Sequence, residues 1–222
     1  MHTTRALLRK PGVDVDAENE NGTTAMYIAA AHGHTVVVVV LADEGQADVS
    51  KSTPADAKLL LVESWTRSNP PPESWKPRDH GCIPPLYIAV RNGRLDTVWV
   101  LLQRGADVGQ ATGREATALL GASRDGRTAV ITVLLDHGAN ADQANIDGDT
   151  PVCYAAHGGH VEAIKLLLDH GADVNKANNN DKTPVWTASK EGHAEAVEIL
   201  LAAGATTDVC DHETAHPFTQ LR

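Results

Sequence analysis

Large aromatic side chains are scarce in this chain: its 222 residues include one Phe, three Tyr and four Trp. Few residues are therefore available to anchor the centre of a compact domain of this length. The apolar content is mostly Ala, Leu and Val, which suits thin layers of closely packed helices and favours an elongated architecture over a sphere. Basic residues are in deficit as well, with 19 Lys and Arg against 29 Asp and Glu for a formal net charge of -10. No segment gathers Lys or Arg into a block able to neutralise phosphates, so nucleic acid and anionic membranes are poor partners. The apolar run over residues 36–42 is far short of the roughly 20 residues that a membrane-spanning helix requires. Cysteine is sparse too. Cys82, Cys153 and Cys210 lie far apart, and three cannot close a disulfide framework. The start, Met1-His2-Thr3-Thr4-Arg5, lacks the apolar stretch and cleavage site of a secretory signal. The expectation is a cytoplasmic chain, with the nucleus left open.

What the chain does have is a period. A Thr-Pro-like pair followed by an apolar residue stands at Thr117-Ala118-Leu119, Thr150-Pro151-Val152 and Thr183-Pro184-Val185, and Pro84-Pro85-Leu86 precedes them at the same 33-residue step. An earlier copy is Thr24-Ala25-Met26. Each copy is followed by Gly33, Gly93, Gly126, Gly159 or Gly192, and twelve residues later by Gly45, Gly105, Gly138, Gly171 or Gly204. Two punctuation marks per unit predict two helices per unit. The Thr hydroxyl can cap the first free amides, Pro at the next position starts a helix without wasting a donor, and the glycines supply the left-handed conformation that ends each helix. Such a fixed period outweighs any local reading.

Between the two glycines, Val161, Ile164, Leu167 and Leu168 fall along one helical stripe. Leu95, Val98, Leu101 and Leu102 repeat it, as do Thr128, Ile131, Leu134 and Leu135, and then Ala194, Val197, Leu200 and Leu201. The run from Val36 to Val40 has strand propensity on its own, but its register matches the other copies and predicts helix.

Asn145-Ile146-Asp147-Gly148-Asp149-Thr150-Pro151-Val152, followed by Ala155-Ala156, Gly159-His160, Leu166-Leu167-Leu168 and Gly171-Ala172-Asp173-Val174-Asn175, closely resembles the ankyrin repeat. The resemblance implies an all-α fold: a solenoid of stacked helix-turn-helix units with short β-hairpin or loop fingers, binding protein partners on its concave side. It covers nearly all of the chain except about residues 50–78. The expected organisation is a partial repeat over 1–16, repeats over 17–49, 79–109, 110–142, 143–175 and 176–208, an insertion over 50–78, and a partial repeat or cap over 209–222. The two partial units suit worn caps or a fragment of a longer array. The chain departs from the family pattern where Thr-Pro-Leu-His ends in His, with Tyr27, Tyr87, Leu120, Cys153 or Trp186 there instead. The unit at 110–142 lacks Pro at Ala118 and carries Gly121 inside its first helix, so it is the expected weak layer.

Thr24 and Pro84 are 60 residues apart instead of 33, so 27 residues have been added, one of them Gln46. Thr53-Pro54 is expected to begin a helix running through Trp65, followed by an extended segment at Asn69-Pro70-Pro71-Pro72. The insertion reads either as a neutral loop, a degenerate repeat or a gene-model fault, or as a specificity element in which Trp65 and Trp75 dock a partner.

Eleven histidines raise the question of metal. His34, His160 and His193 share one repeat position after a helix-ending glycine, where the resemblance implies a structural hydrogen bond. The pairs His32/His34 and His157/His160 alone are weak evidence for zinc. No phosphate loop and no nucleophile elbow occur, and the carboxylates are dispersed. No enzyme activity, metal or cofactor is expected, and Asp107 and Asp173 are read as ties for the finger loops.

In a solenoid, function is carried by positions that differ between copies while the framework stays constant. Here these are Glu20, Asn21 and His32; His80, Ile83, Arg91 and Asn92; Arg114, Arg124 and Asp125; Ile146, Asp147, Asp149 and His157; and Asn179, Lys182, Lys190 and Glu191. Stacked side by side, they would form one mixed-charge stripe with Ile83 and Ile146 as apolar contacts, suited to a protein. The leading reading is a monomeric adaptor or scaffold for a protein partner. The alternative is a regulatory or spacer segment of a larger multidomain enzyme or channel. Replacing Leu134 with Ala should cost about 2–5 kcal/mol if the stripe is buried between layers; a denaturant midpoint unchanged by the substitution would refute the register.

Overall fold

Thr24, Thr117, Thr150 and Thr183 each stand in extended backbone immediately before a helix, and each side-chain oxygen accepts the amide of the residue three positions on. The acceptor distances are 3.2 Å for Tyr27 and 3.3 Å for Leu120, Cys153 and Trp186. Such a cap stabilises a helix start by roughly 0.5–2 kcal/mol. It matters here because the helices are short and nucleation is costly. Pro84 replaces the capping Thr in one copy, and Pro85 opens that helix with its φ already set.

The computed structural model describes residues 8, 12–54 and 82–207. They contain ten helices: α1 Ala25–His32, α2 Thr35–Asp43, α3 Pro85–Arg91, α4 Leu95–Gln103, α5 Ala118–Arg124, α6 Thr128–Asp136, α7 Pro151–His157, α8 Val161–Asp169, α9 Pro184–Glu191 and α10 Ala194–Ala202. The only strands among the described residues are β1, Thr53–Pro54, and β2, Cys82–Ile83. The all-α class is thus as the resemblance implies, and the valine run of α2 is helical despite its branching.

The chain divides into two compact units, residues 1–114 and 115–222. In the first, α1 packs on α3 and α2 on α4. In the second, α5, α7 and α9 form one row and α6, α8 and α10 the other. Within each pair the two helices also pack on each other. The first helices meet through small residues, with Ala30, Ala89, Ala122, Ala155, Ala156 and Ala188 buried. That is where the high alanine content is spent: small side chains let neighbouring layers approach closely.

In the second helices the buried face differs from the expected stripe by a rotation. Ala163, Ile164 and Leu167 are fully enclosed, as are Ile131 and Leu134, with Val130 beside them. Val161 and Leu168 are only half-buried, while Leu95, Ala194 and Leu201 are exposed. At about 100° per residue, the third, fourth and seventh positions of these helices share a narrow arc, and the first and eighth lie at its edge. Side chains at that edge are covered only where the neighbouring layer supplies bulk.

The insertion also corrects an expectation. Thr53 and Pro54 do not start a helix; they pair antiparallel with Ile83 and Cys82 respectively. Thr53 occupies the repeat position of Thr112, Asn145 and Asn178. In the other fingers the same position closes a hairpin through Asn145 N to Asp149 O at 3.1 Å and Asn178 N to Lys182 O at 3.0 Å. The base of the finger is therefore kept. Residues 55–81, including Trp65, Trp75, His80 and the rest of the expected helix, lie outside the described residues, as does the expected cap over 209–222.

The second inserted residue has a backbone consequence. Gly105, Gly138, Gly171 and Gly204 take positive φ at the ends of their helices, but Gly45 does not; Gln46 carries that conformation instead, at φ 54°. The extra residue lengthens the closing turn, so that Ala47 N reaches Leu41 O at 3.0 Å. A side chain in the left-handed region costs on the order of 1–2 kcal/mol. Gly159 presents the opposite case: it holds φ 64°, and a Cβ there would lie 2.6 Å from Nδ1 of His193. Thermal or urea unfolding should show Gln46→Gly gaining roughly 0.5–1 kcal/mol, since glycine's flexibility in the unfolded chain offsets part of the relief. Gly159→Ala should lose more than about 1 kcal/mol; a loss for the first or a gain for the second would contradict these backbone assignments.

Candidate functional site

Polar groups that recur at one repeat position act mainly as ties between layers. His160 Nε2 donates to Arg124 O at 3.0 Å and His193 Nε2 to His157 O at 2.9 Å, each reaching the last turn of the preceding first helix. A carbonyl only accepts, so Nε2 carries the proton in both. Asn92 makes a similar link, its Nδ2 donating to Ala31 O at 2.9 Å. Below the second helices, Asp142 Oδ1 accepts Asp173 N at 2.9 Å, Asn175 Oδ1 accepts Thr206 N at 2.8 Å, and Ser50 Oγ accepts Asp107 N at 3.1 Å. Asp107 and Asp173 in turn hold the amides of Gly109 and Asn175 at 2.9 and 2.8 Å. These residues spend their hydrogen bonds on the scaffold.

The fingers of the second unit are joined in the same way. Asn179 N donates to Asp147 O and Asn179 Nδ2 to Ile146 O, both at 3.0 Å, while Asn178 Nδ2 donates to Asp149 Oδ1 at 2.7 Å. The side chain of Ile146 stays 53% exposed at the tip.

Several of the divergent positions converge beside these fingers. Asp149, Cys153, Tyr154 and His157, from the fourth finger and α7, face Asn178, Lys182, Trp186, Thr187, Lys190 and Glu191, from the fifth finger and α9, across a groove of about 270 Å³. At its centre is Trp186, a replacement for the family's usual His and 7% exposed. The Lys182 ammonium lies 4.9 Å and the Lys190 ammonium 5.5 Å from the centroid of its ring. Both distances are within cation–π range. Among the described residues the indole Nε1 has no hydrogen-bond partner although it is buried, an arrangement that costs roughly 1–3 kcal/mol.

The carboxylates of the groove lie beside other polar groups. Asp149 accepts from Asn178, and Glu191 Oε1 lies 3.7 Å from His157 Nδ1. Cys153 offers no nucleophile: burial pushes its thiol above the ordinary range, although the capping Thr150 opposes this, and its Sγ donates to Lys176 O at 3.8 Å. A reactive cysteine needs the opposite shift. Among the described residues, no three His, Cys, Asp or Glu side chains converge as a metal site, and no helix is long and apolar enough to cross a membrane.

Of the candidate residues, Asp149, His157, Lys182, Lys190 and Glu191 line the groove. Ile146, Asp147 and Asn179 form the adjoining finger tips. Arg124 and Asp125 pair with each other at 3.2 Å at the end of α5. In the first unit Glu20, His32 and Arg114 are exposed, and Asn21 and Arg91 are partly covered. His32 stacks on His34 with ring centroids 5.6 Å apart. Two expectations are corrected. Ile83 is 3% exposed because β2 turns it inward, so it cannot serve as an apolar contact. Asn92 is committed to Ala31, with its Oδ1 buried.

Sequence reasoning missed Trp186, Tyr154, Asn178 and Thr187. The available signal was Trp186 flanked by lysines four residues before and after, Lys190 one helical turn along α9 and Lys182 just ahead of the helix start. The exposed Trp99 of α4 was also passed over.

Among curated proteins none matches the chain. A family model described as "Ankyrin repeats (3 copies)" matches residues 2–112 and 119–211. Repeats of that family are generally protein–protein interaction modules and are typically non-catalytic. As the matched residues take in every helix described above but for Ala118 at the start of α5, the chain belongs to the ankyrin repeat family.

Proposed function

We propose that this chain is an adaptor that holds a protein partner through the finger tips and first helices, and that in residues 115–222 the contact centres on the groove between α7 and α9. The observation that carries this reading is the groove itself: five positions that diverge between repeats meet there around an indole, beside an exposed isoleucine. The framework positions of the same repeats are consumed by carbonyl ties and caps, whereas the ammonium groups of Lys182 and Lys190 take no part in such ties among the described residues. Aromatic anchors flanked by charge are the usual composition of an interface centre. In such a surface the charges set orientation and association rate, while burial around the tryptophan supplies affinity.

A photo-crosslinking residue placed at Thr187, in the groove, should capture a partner from a source lysate, whereas the same residue at Glu162 on exposed α8 should not. For the captured protein, His157→Ala combined with Glu191→Ala should raise Kd at least tenfold, equivalent to about 1.4 kcal/mol. Equal capture from both positions, or a Kd unmoved by the double substitution, would remove the groove from the function.

A further inference from the structure

We infer that the groove between α7 and α9 recognises an acidic segment of its partner, seating an Asp or Glu side chain against Lys182 and Lys190; this rests on the reading of the groove as a contact surface. Hydrogen-bonding capacity decides the sign of the ligand. Two ammonium groups converge on one indole, and neither forms an ion pair with a carboxylate among the described residues. Of the two carboxylates that line the groove, Asp149 accepts from Asn178 at 2.7 Å and Glu191 lies 3.7 Å from His157 Nδ1. The ammonium donors of Lys182 and Lys190 thus have no carboxylate acceptor among the described residues, and an ammonium has no acceptor capacity of its own. A cationic ligand is disfavoured for the same reason: the chain's own lysines already occupy the tryptophan, which is the feature that would attract a foreign ammonium.

A carboxylate supplies the missing acceptor. Its hydrogen bonds to the two ammonium groups are of the charge-assisted, stronger kind. The rest of the chain would not retain such a ligand. With a formal net charge of -10, it repels acidic segments in general.

The test uses the full chain and a library of random immobilised octapeptides. Peptides retained by the unaltered chain should be enriched in Asp and Glu. The double variant Lys182→Gln, Lys190→Gln should lose that enrichment and bind the selected peptides at least tenfold more weakly. Lys182→Glu with Lys190→Glu should shift selection toward Lys and Arg. Both sites are at the surface, and an unchanged far-ultraviolet circular dichroism spectrum will show that the variants fold. Retained peptides that require Tyr154 but show no acidic bias would overturn this inference and leave the groove as a contact site. No peptide sensitive to Tyr154→Ala would overturn both. Displacement of the acidic peptides by micromolar inorganic phosphate would assign the lysines to a free anion, and that too would overturn the proposal.

Discussion

A pair of helices seven to nine residues long cannot cover its own apolar side chains, and that shortfall governs this molecule. Ile164 and Leu167 are fully enclosed because α8 lies between α6 and α10. Leu134 and Leu200 owe their burial to the same row. A single layer would leave them in water, and burying such a side chain stabilises by about 1.5–3 kcal/mol. Stability is therefore a property of neighbours and accumulates layer by layer. Within each unit, everything else either sets the spacing of the layers or uses the surface they leave.

Spacing is set by polar groups acting across the repeat. Nε2 of His160 and His193, Nδ2 of Asn92, and the side chains of Asp142 and Asn175 each satisfy a backbone group of an adjacent repeat. Backbone groups at helix ends are otherwise left without partners. One bond thus completes a terminus and fixes the distance between layers. The replacements for the family's His are handled differently in each copy. Tyr27 is buried, and burial pushes its hydroxyl above the ordinary range. Leu120 is buried as an apolar filler, Cys153 donates weakly to Lys176, and Trp186 lines a groove with its Nε1 unpaired among the described residues.

This division of labour leaves one region of the second unit with chemistry to spare. Ties and caps absorb the hydrogen bonds of recurring residues, while Lys182 and Lys190, which do not recur, gather on an indole and form no ion pair among the described residues. Repeats held by constant positions can vary the others at little cost to folding. Where variable residues from two layers meet beside two joined fingers, a groove arises without disturbing the stack.

Much of this architecture was legible in the amino-acid order because its causes are local. The 33-residue step, the Thr caps and the glycines announce two helices per unit, and the register of residues 36–40 outweighs the strand preference of valine. Local signals could not say which flank of the second helices is covered, since that depends on the bulk of the adjoining layer; hence Leu95 and Leu201 are open while Leu102 and Leu135 are closed. Nor could they show that Thr53-Pro54 returns to pair with Cys82-Ile83, a contact between residues far apart in the chain. Divergence between copies marked five residues of the groove, yet it ranked Ile83 and Asn92 equally with them. Only tertiary packing separates a side chain turned inward to hold the next layer from one left facing water, because burial is decided by what lies opposite and not by the residue itself.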